Sequence, residues 1–175
     1  MKYFILEQAE DYQRGPTIRE WYGKLDAQHL EMAPMSAENR MVFNIEVDEF
    51  TIFPDIITFP CLMVSEEMHQ ILLRYDSRIP YRDVFFLESE KMIGKIYFIP
   101  FLPEMDCLTE DSILSPDRSR VEKGVVDTQK FWDRPIIEVS GVTNQCVAIN
   151  LDLAEALIGE GMIGIGLREL ESAVK

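Results

Sequence analysis

The sequence predicts an α+β fold, a mainly antiparallel sheet with a few short helices packed on it. Three observations carry this. Residues 41–47 alternate, with Met41, Phe43, Ile45 and Val47 on one side and Asn44, Glu46 and Asp48 on the other, the period of a half-buried strand. Glu66 to Tyr75 places Met68, Ile71, Leu72 and Tyr75 on one helical face. Two runs rich in Phe, Ile, Val and Tyr, Asp83 to Leu87 and Lys95 to Phe101, flank a polar turn near Ser89 to Gly94 and read as an antiparallel pair.

The remaining elements follow in order. Tyr3 to Glu7 is a first strand. Residues 8–40 are polar and irregular, broken by Gly15-Pro16 and Pro34. Phe53-Pro54-Asp55 begins a turn, and Cys61 to Val64 is a short apolar run whose following Ser65 caps the helix. Glu66 and Glu67 sit in that helix's first turn and Arg74 in its last, as the helix dipole prefers. Glu104 to Ser119 reads as an acidic loop. Val121 to Val126, Ile136 to Val139 and Cys146 to Ile149 read as strands, Asp152 to Glu160 as a second helix, and Ile163 to Leu167 as the closing strand.

One regularity crosses the chain. Cys61-Leu62-Met63-Val64-Ser65 returns 85 residues later as Cys146-Val147-Ala148-Ile149-Asn150, and the register continues from Met68 to Leu153 and from Leu72 to Leu157. Ser and Asn serve equally as caps because either side-chain oxygen accepts a first-turn N–H. The expectation is two related strand-helix units inside a single domain over residues 1–175, with 1–103 and 104–175 as its halves. Two units are too few for a solenoid.

Composition bounds the function. Thirty-one Asp and Glu oppose 17 Lys and Arg, a formal net charge of −14. Such a surface repels nucleic-acid phosphates and anionic lipid heads and attracts basic proteins and cations. Neither nucleic acid nor membrane is therefore an expected partner. The chain holds 47% hydrophobic residues, enough for a core, and no apolar run of the roughly 18 residues a membrane span needs. The start, Met1 to Glu7, lacks the apolar length and cleavage site of a signal peptide. Three widely spaced cysteines, Cys61, Cys107 and Cys146, do not form a disulfide framework. A reduced, cytoplasmic compartment is expected.

Candidate chemistry is thin. Gly159-Glu160-Gly161-Met162-Ile163-Gly164 matches G-x-G-x-x-G but follows a helix and precedes a strand, the reverse of a dinucleotide site. Gly161 reads as a helix C-cap. Ser65 opens a helix after an apolar strand, yet Met63 and Glu67 stand where a nucleophile elbow has glycines. His29 and His69 have no ligand or carboxylate at metal or catalytic spacing. Cys107, beside Asp106, lacks the electropositive setting of a reactive thiol. No cofactor, metal or catalytic residue is expected. The strongest cluster is Glu104, Asp106, Glu110 and Asp111, without the pattern of a calcium loop. With the aromatic residues Trp21, Tyr22 and Trp132 in polar stretches, it is the candidate contact surface for a protein partner. The competing reading is a ligand or catalytic site assembled from distant carboxylates such as Asp55 and Asp106.

Residues spread over the chain carry a resemblance. Pro16 through Trp21, Phe53-Pro54-Asp55-Ile56, Leu62-Met63-Val64-Ser65 before a helix, Ile96-Tyr97-Phe98, Asp106-Cys107-Leu108 ahead of Ser112, and Val147 through Leu167 resemble a bacterial family first catalogued as a domain of unknown function and now placed among the immunity proteins of polymorphic toxin systems. The resemblance implies a non-catalytic antitoxin, made beside a cognate toxin and binding it tightly; the chain itself is expected to be a monomer or homodimer. A toxin acting on nucleic acid with a basic cleft would suit so acidic an inhibitor.

Overall fold

A computed structural model describes residues 2–12, 14–22, 24–25, 41–131 and 133–173. His29, Pro34 and Trp132 lie outside the described residues. The elements run β1 (Tyr3–Gln8), β2 (Thr17–Ile18), β3 (Met41–Glu46), β4 (Ile56–Ile57), β5 (Met63–Ser65), α1 (Glu66–Tyr75), β6 (Tyr81–Glu88), β7 (Ile93–Pro100), β8 (Glu104–Met105), β9 (Ile113–Leu114), β10 (Val121–Lys123), β11 (Val125–Val126), β12 (Ile136–Val139), β13 (Val147–Asn150), α2 (Leu151–Gly159) and β14 (Ile165–Ser172). This is an α+β fold with mostly antiparallel sheets.

The residue pattern explains the elements. In β3, Phe43 and Ile45 are buried while Val42, Asn44 and Glu46 are exposed, as the alternation requires. Met68, Ile71 and Leu72 form the buried stripe of α1, each adding roughly 1.5–3 kcal/mol by leaving water. The Ser65 hydroxyl caps α1 by accepting from the Met68 N–H at 3.1 Å, and the Asn150 side-chain oxygen caps α2 by accepting from the Leu153 N–H at 3.0 Å. Gly161, with φ +75°, follows α2 as the expected left-handed residue.

Several expectations need correction. Residues 104–119 are not one irregular loop. Glu104–Met105 pairs in parallel with β12, and Ile113–Leu114 pairs with β10. Between them, buried Cys107 and the bridge from Leu108 to Val126 pin the chain. The expected strand over 121–126 is two strands separated at Gly124, where a Cβ would stand 2.2 Å from Leu170 Cδ2. The segment 8–40 contains the short β2, and β4 follows the turn at Asp55. The closing strand runs on to Ser172.

Two six-stranded sheets carry the fold, in the orders β11-β14-β1-β13-β12-β8 and β2-β3-β6-β7-β5-β4. They do not follow the halves 1–103 and 104–175, because β1 joins the sheet otherwise built from residues after 103. Both helices pack on each other and on the inward faces of both sheets, through Val64, Met68, Leu72, Ile149, Leu153 and Leu157. The outward face of one sheet, with Tyr3, Ile5 and Ala148, is covered by Cys107, Val121 and Phe131. The outward face of the other, with Phe43, Phe86, Tyr97 and Ile99, is covered by Leu25 and Trp21.

The sheets share one plan. In one, β4 and β5 form an antiparallel pair, α1 follows, and β6 returns with β7 inserted between β5 and β6. In the other, β12 and β13 pair, α2 follows, and β14 returns with β1 inserted between β13 and β14. Each is a split β-α-β unit. A parallel strand flanks each returning strand, β3 beside β6 and β11 beside β14. Register aligns the residues. Val64 faces Ile56 and Phe98, while Ile149 faces Ile136 and Phe4. Tyr3-Phe4-Ile5 therefore occupies the place of Tyr97-Phe98-Ile99, the same tripeptide. Ile99 faces Arg82 and Ile5 faces Arg168, so Arg82-Asp83-Val84 matches Arg168-Glu169-Leu170. The inserted strand follows the helix in one unit and precedes everything else in the other. The second unit is thus a circular permutation of the first.

Candidate partner-binding surface

The carboxylates singled out in the sequence are all on the surface, but their segment is divided. Glu104 sits on β8 beside Glu138 of β12, and burial with Glu104's charge pushes the Glu138 carboxyl above its usual range. Asp106 is exposed and lies 3.6 Å from Lys130 Nζ. Buried Cys107 and half-buried Leu108 intervene before Glu110 and Asp111, which occupy an exposed turn closed by the Ser112 N–H on the Thr109 carbonyl. Among the described residues, no group of three or more His, Cys, Asp or Glu is placed to hold a metal ion.

The aromatic candidates divide as well. Tyr22 is 79% exposed and stacks on Trp21 with ring centroids 3.8 Å apart. Trp21 is half-buried against the outward core of its sheet and meets the exposed Phe59 edge-on at 5.3 Å. These three rings form one surface cluster, in which Phe59 was not foreseen. Trp132 lies outside the described residues.

Asp55 and Asp106, the distant carboxylates of the competing reading, have separate partners. Asp55 Oδ1 accepts from the Ser65 hydroxyl at 2.5 Å, and Oδ2 accepts from the Ile163 N–H at 2.6 Å. Asp55 thereby ties the N-terminus of α1 to the turn after α2. Ser65 is spent between this carboxylate and the cap. His69 is bracketed by aromatics, stacked on Phe98 at 4.0 Å and edge-on to Tyr81 at 4.3 Å. Burial lowers its pKa against the opposing charges of Asp83 and Glu66. Its Nδ1 and the Tyr81 hydroxyl are buried and have no hydrogen-bond partner among the described residues.

Two open grooves cross the described surface. The larger, about 900 Å³, runs between Thr58-Phe59 and the 115–122 segment and holds both signs of charge, with Glu7, Asp117, Arg120 and Arg168 on its walls. The smaller, about 630 Å³, lies beside β7 and is lined by Glu66, Glu67, Phe85, Gly94, Ile96 and Ile163 among others. The sequence concealed this groove, since Phe85 and Ile96 read as interior strand residues. Their exposure depends on which neighbours the sheet supplies.

No helix among the described residues is long and apolar enough to cross a membrane. Comparison with family models, curated proteins and solved structures finds no match.

Proposed function

We propose that the chain is an immunity protein, a cytoplasmic antitoxin that binds a cognate bacterial toxin domain and neutralises it without chemistry of its own. The observation that carries this reading is the surface. A net charge of −14 is joined to exposed carboxylates at Glu104, Asp106, Glu110 and Asp111 and to the ring cluster of Trp21, Tyr22 and Phe59. Aromatic anchors in an acidic field suit tight, fast association with a basic protein. The resemblance of the sequence to immunity proteins supports the same reading.

The test is co-expression with a toxin domain encoded beside the gene. Survival of cells that the toxin alone kills, together with a stoichiometric complex, supports the proposal. Continued killing, with the purified chain retaining or turning over a small molecule, overturns it. That outcome favours a ligand-binding protein or enzyme, for which the mixed-charge groove between Thr58-Phe59 and residues 115–122 is the supporting feature.

A further inference from the structure

The two units serve as controls for one another, and one surface separates them. In the β3-to-β7 unit, Val42, Phe85 and Ile96 are direct partners across three adjacent strands and are 45%, 37% and 44% exposed. They form an apolar row on the side of the sheet that carries α1. Register places Val125 and Glu171 at the same positions of the other unit, and Lys2, one residue beyond the Tyr3–Leu170 pair, follows as the third. Two of these three residues are charged where the first row is apolar throughout, Val125 alone matching it in kind, and Lys2 Nζ meets Glu169 at 2.7 Å beside them. The fold therefore does not require apolar residues at the places of Phe85 and Ile96. Gly94 adds to the contrast. A Cβ at this position would stand 3.0 Å from Phe85 Cζ, so the missing side chain lets the ring lie across the strand.

Among the described residues, the same place has an open strand edge. β5 pairs with β7 only at Val64 with Phe98 and at Ser65 with Tyr97, because the chain turns into α1 after Ser65. From Gly94 to Ile96, β7 has β6 as its sheet neighbour on one side among the described residues, and these three residues line the 630 Å³ groove. An open edge offers backbone donors and acceptors to an added strand. The charge of the walls selects what fits. Asp55, Glu66 and Glu67 line the groove against a single cation, Lys95, whose Nζ lies 5.6 Å from the centre of the Phe53 ring.

We propose that this groove is the docking site for an extended segment of a protein partner in which cationic and apolar side chains alternate. The segment lies along the free edge of β7, sets its apolar side chains against Phe85 and Ile96, and brings Lys or Arg to Glu66 and Glu67. The proposal rests on the reading of the chain as a protein binder and not on what its partner does.

The test titrates the isotope-labelled chain with a synthetic eight-residue peptide alternating Lys and Val, and, as controls, with its Glu-Val counterpart and a Lys-Pro version lacking strand donors. The expected result is amide shifts concentrated at Gly94, Lys95 and Ile96, binding at least tenfold tighter than either control, and affinity that falls with added salt. Phe85→Glu with Ile96→Lys, which copies the charge pattern of the other unit, is expected to weaken binding at least tenfold. Glu66→Gln with Glu67→Gln is expected to remove most of the salt dependence. Should the double variant at 85 and 96 fail to fold, Ile96→Lys alone carries the test, since Lys2 occupies the equivalent place. Equal binding of the acidic peptide, shifts centred elsewhere, or undiminished binding by the folded variants would overturn the proposal. The toxin survival assay separates the two claims. If the Phe85/Ile96 variant still protects cells fully, this surface is rejected and the antitoxin reading stands. If the peptide docks as expected while no toxin is neutralised, the surface stands and the antitoxin reading falls.

Discussion

Arg134 Nη1 donates to Asp76 Oδ2 at 2.9 Å, joining the end of α1 in one unit to the segment that opens the β12–β13 pair of the other. Asp76 also accepts from Arg78 Nε at 2.6 Å, and its side chain is 1% exposed. A carboxylate so enclosed is tolerable only when its charge is matched. The Arg78 hydrogen bonds, with further help from Arg134, outweigh burial and hold its pKa at about 2.

The first prediction follows from that shift. A carboxyl titrating at about 2 when folded and near 3.8 when unfolded stabilises the fold above about pH 4, and this contribution disappears as pH falls through the folded value. Converted at 1.36 kcal/mol per pH unit, it is worth about 2–3 kcal/mol at neutral pH. Asp76→Asn is expected to lose that amount in urea unfolding at pH 7. The gap from the parent chain should close between pH 4 and pH 2. A constant gap across that range would show that shape, and not charge, is what Asp76 supplies.

The two caps make a matched pair. Asn150→Ala removes one bond, to the Leu153 N–H, and is expected to cost about 1 kcal/mol. Ser65→Ala removes the cap on Met68 and also the hydroxyl that Asp55 holds at 2.5 Å. It should therefore cost more than the change at Asn150. Asn150→Ser should be nearly neutral. Unfolding free energies of the three variants decide this, and equal losses at both caps would deny the Asp55–Ser65 link any weight.

His69 reports acid sensitivity of the same sign in a higher pH window. Burial favours its neutral form and sets its pKa below 6.5, although Asp83 and Glu66 pull the other way. The unfolded chain takes up this proton first, so stability is full above pH 6.5 and declines as pH falls below it. His69→Phe keeps a ring against Phe98 and Tyr81. Its thermal midpoint is expected to be flatter than the parent's across pH 6.5 to 5, and matching slopes would exclude His69 as the source.

Much of this architecture was legible because its signals are local. The alternation of 41–47, the capped stripe of α1 and the β6–β7 hairpin each depend on residues close in sequence. The 85-residue echo of Cys61–Ser65 in Cys146–Asn150 pointed to two units. What escaped was non-local. β2 and β4 are two residues each, too short to display a period. The acidic segment looked like a loop because nothing nearby shows that Leu108 bridges Val126. The recurrence of Tyr-Phe-Ile at 3–5 and 97–99 stands in plain view, but its meaning depends on strand register. The groove was hidden for the same reason, since Phe85 and Ile96 have the composition of a core and lack the neighbours that would cover them.

The cysteines are expected to be inert. Burial pushes the Cys61 and Cys146 thiols up to about 12 and Cys107 to about 11. At pH 8 a thiolate is then scarce at every site, and Cys61 and Cys107 are also closed to reagents. Iodoacetamide should leave the folded chain unmodified over an hour and add three groups after unfolding, read by intact mass. Rapid modification of the native chain would place one of these thiols at the surface.

The permuted repeat makes the most demanding prediction. Tyr3 faces Leu170, so the start of β1 lies beside the end of β14, much as β6 and β7 lie side by side around residues 89–92. A chain in which a short Gly-Ser linker joins residue 173 to residue 2, and which opens between Glu90 and Lys91, exchanges the roles of the units. The β11-to-β14 unit becomes contiguous with its inserted strand, and the β3-to-β6 unit receives β7 from the far end of the sequence. The opened turn is exposed, with Met92 at 90% and φ of 53°, and exposed tips tolerate such cuts best. The permutant should fold to the same far-ultraviolet spectrum with a melting point lowered by several degrees. It should also bind the Lys-Val peptide less well, because the cut releases β7 three residues before the edge at Gly94. A permutant that aggregates, while an equal linker inserted into the uncut 89–92 turn does not, would show that the β6–β7 connection is needed for folding and that the units are not interchangeable.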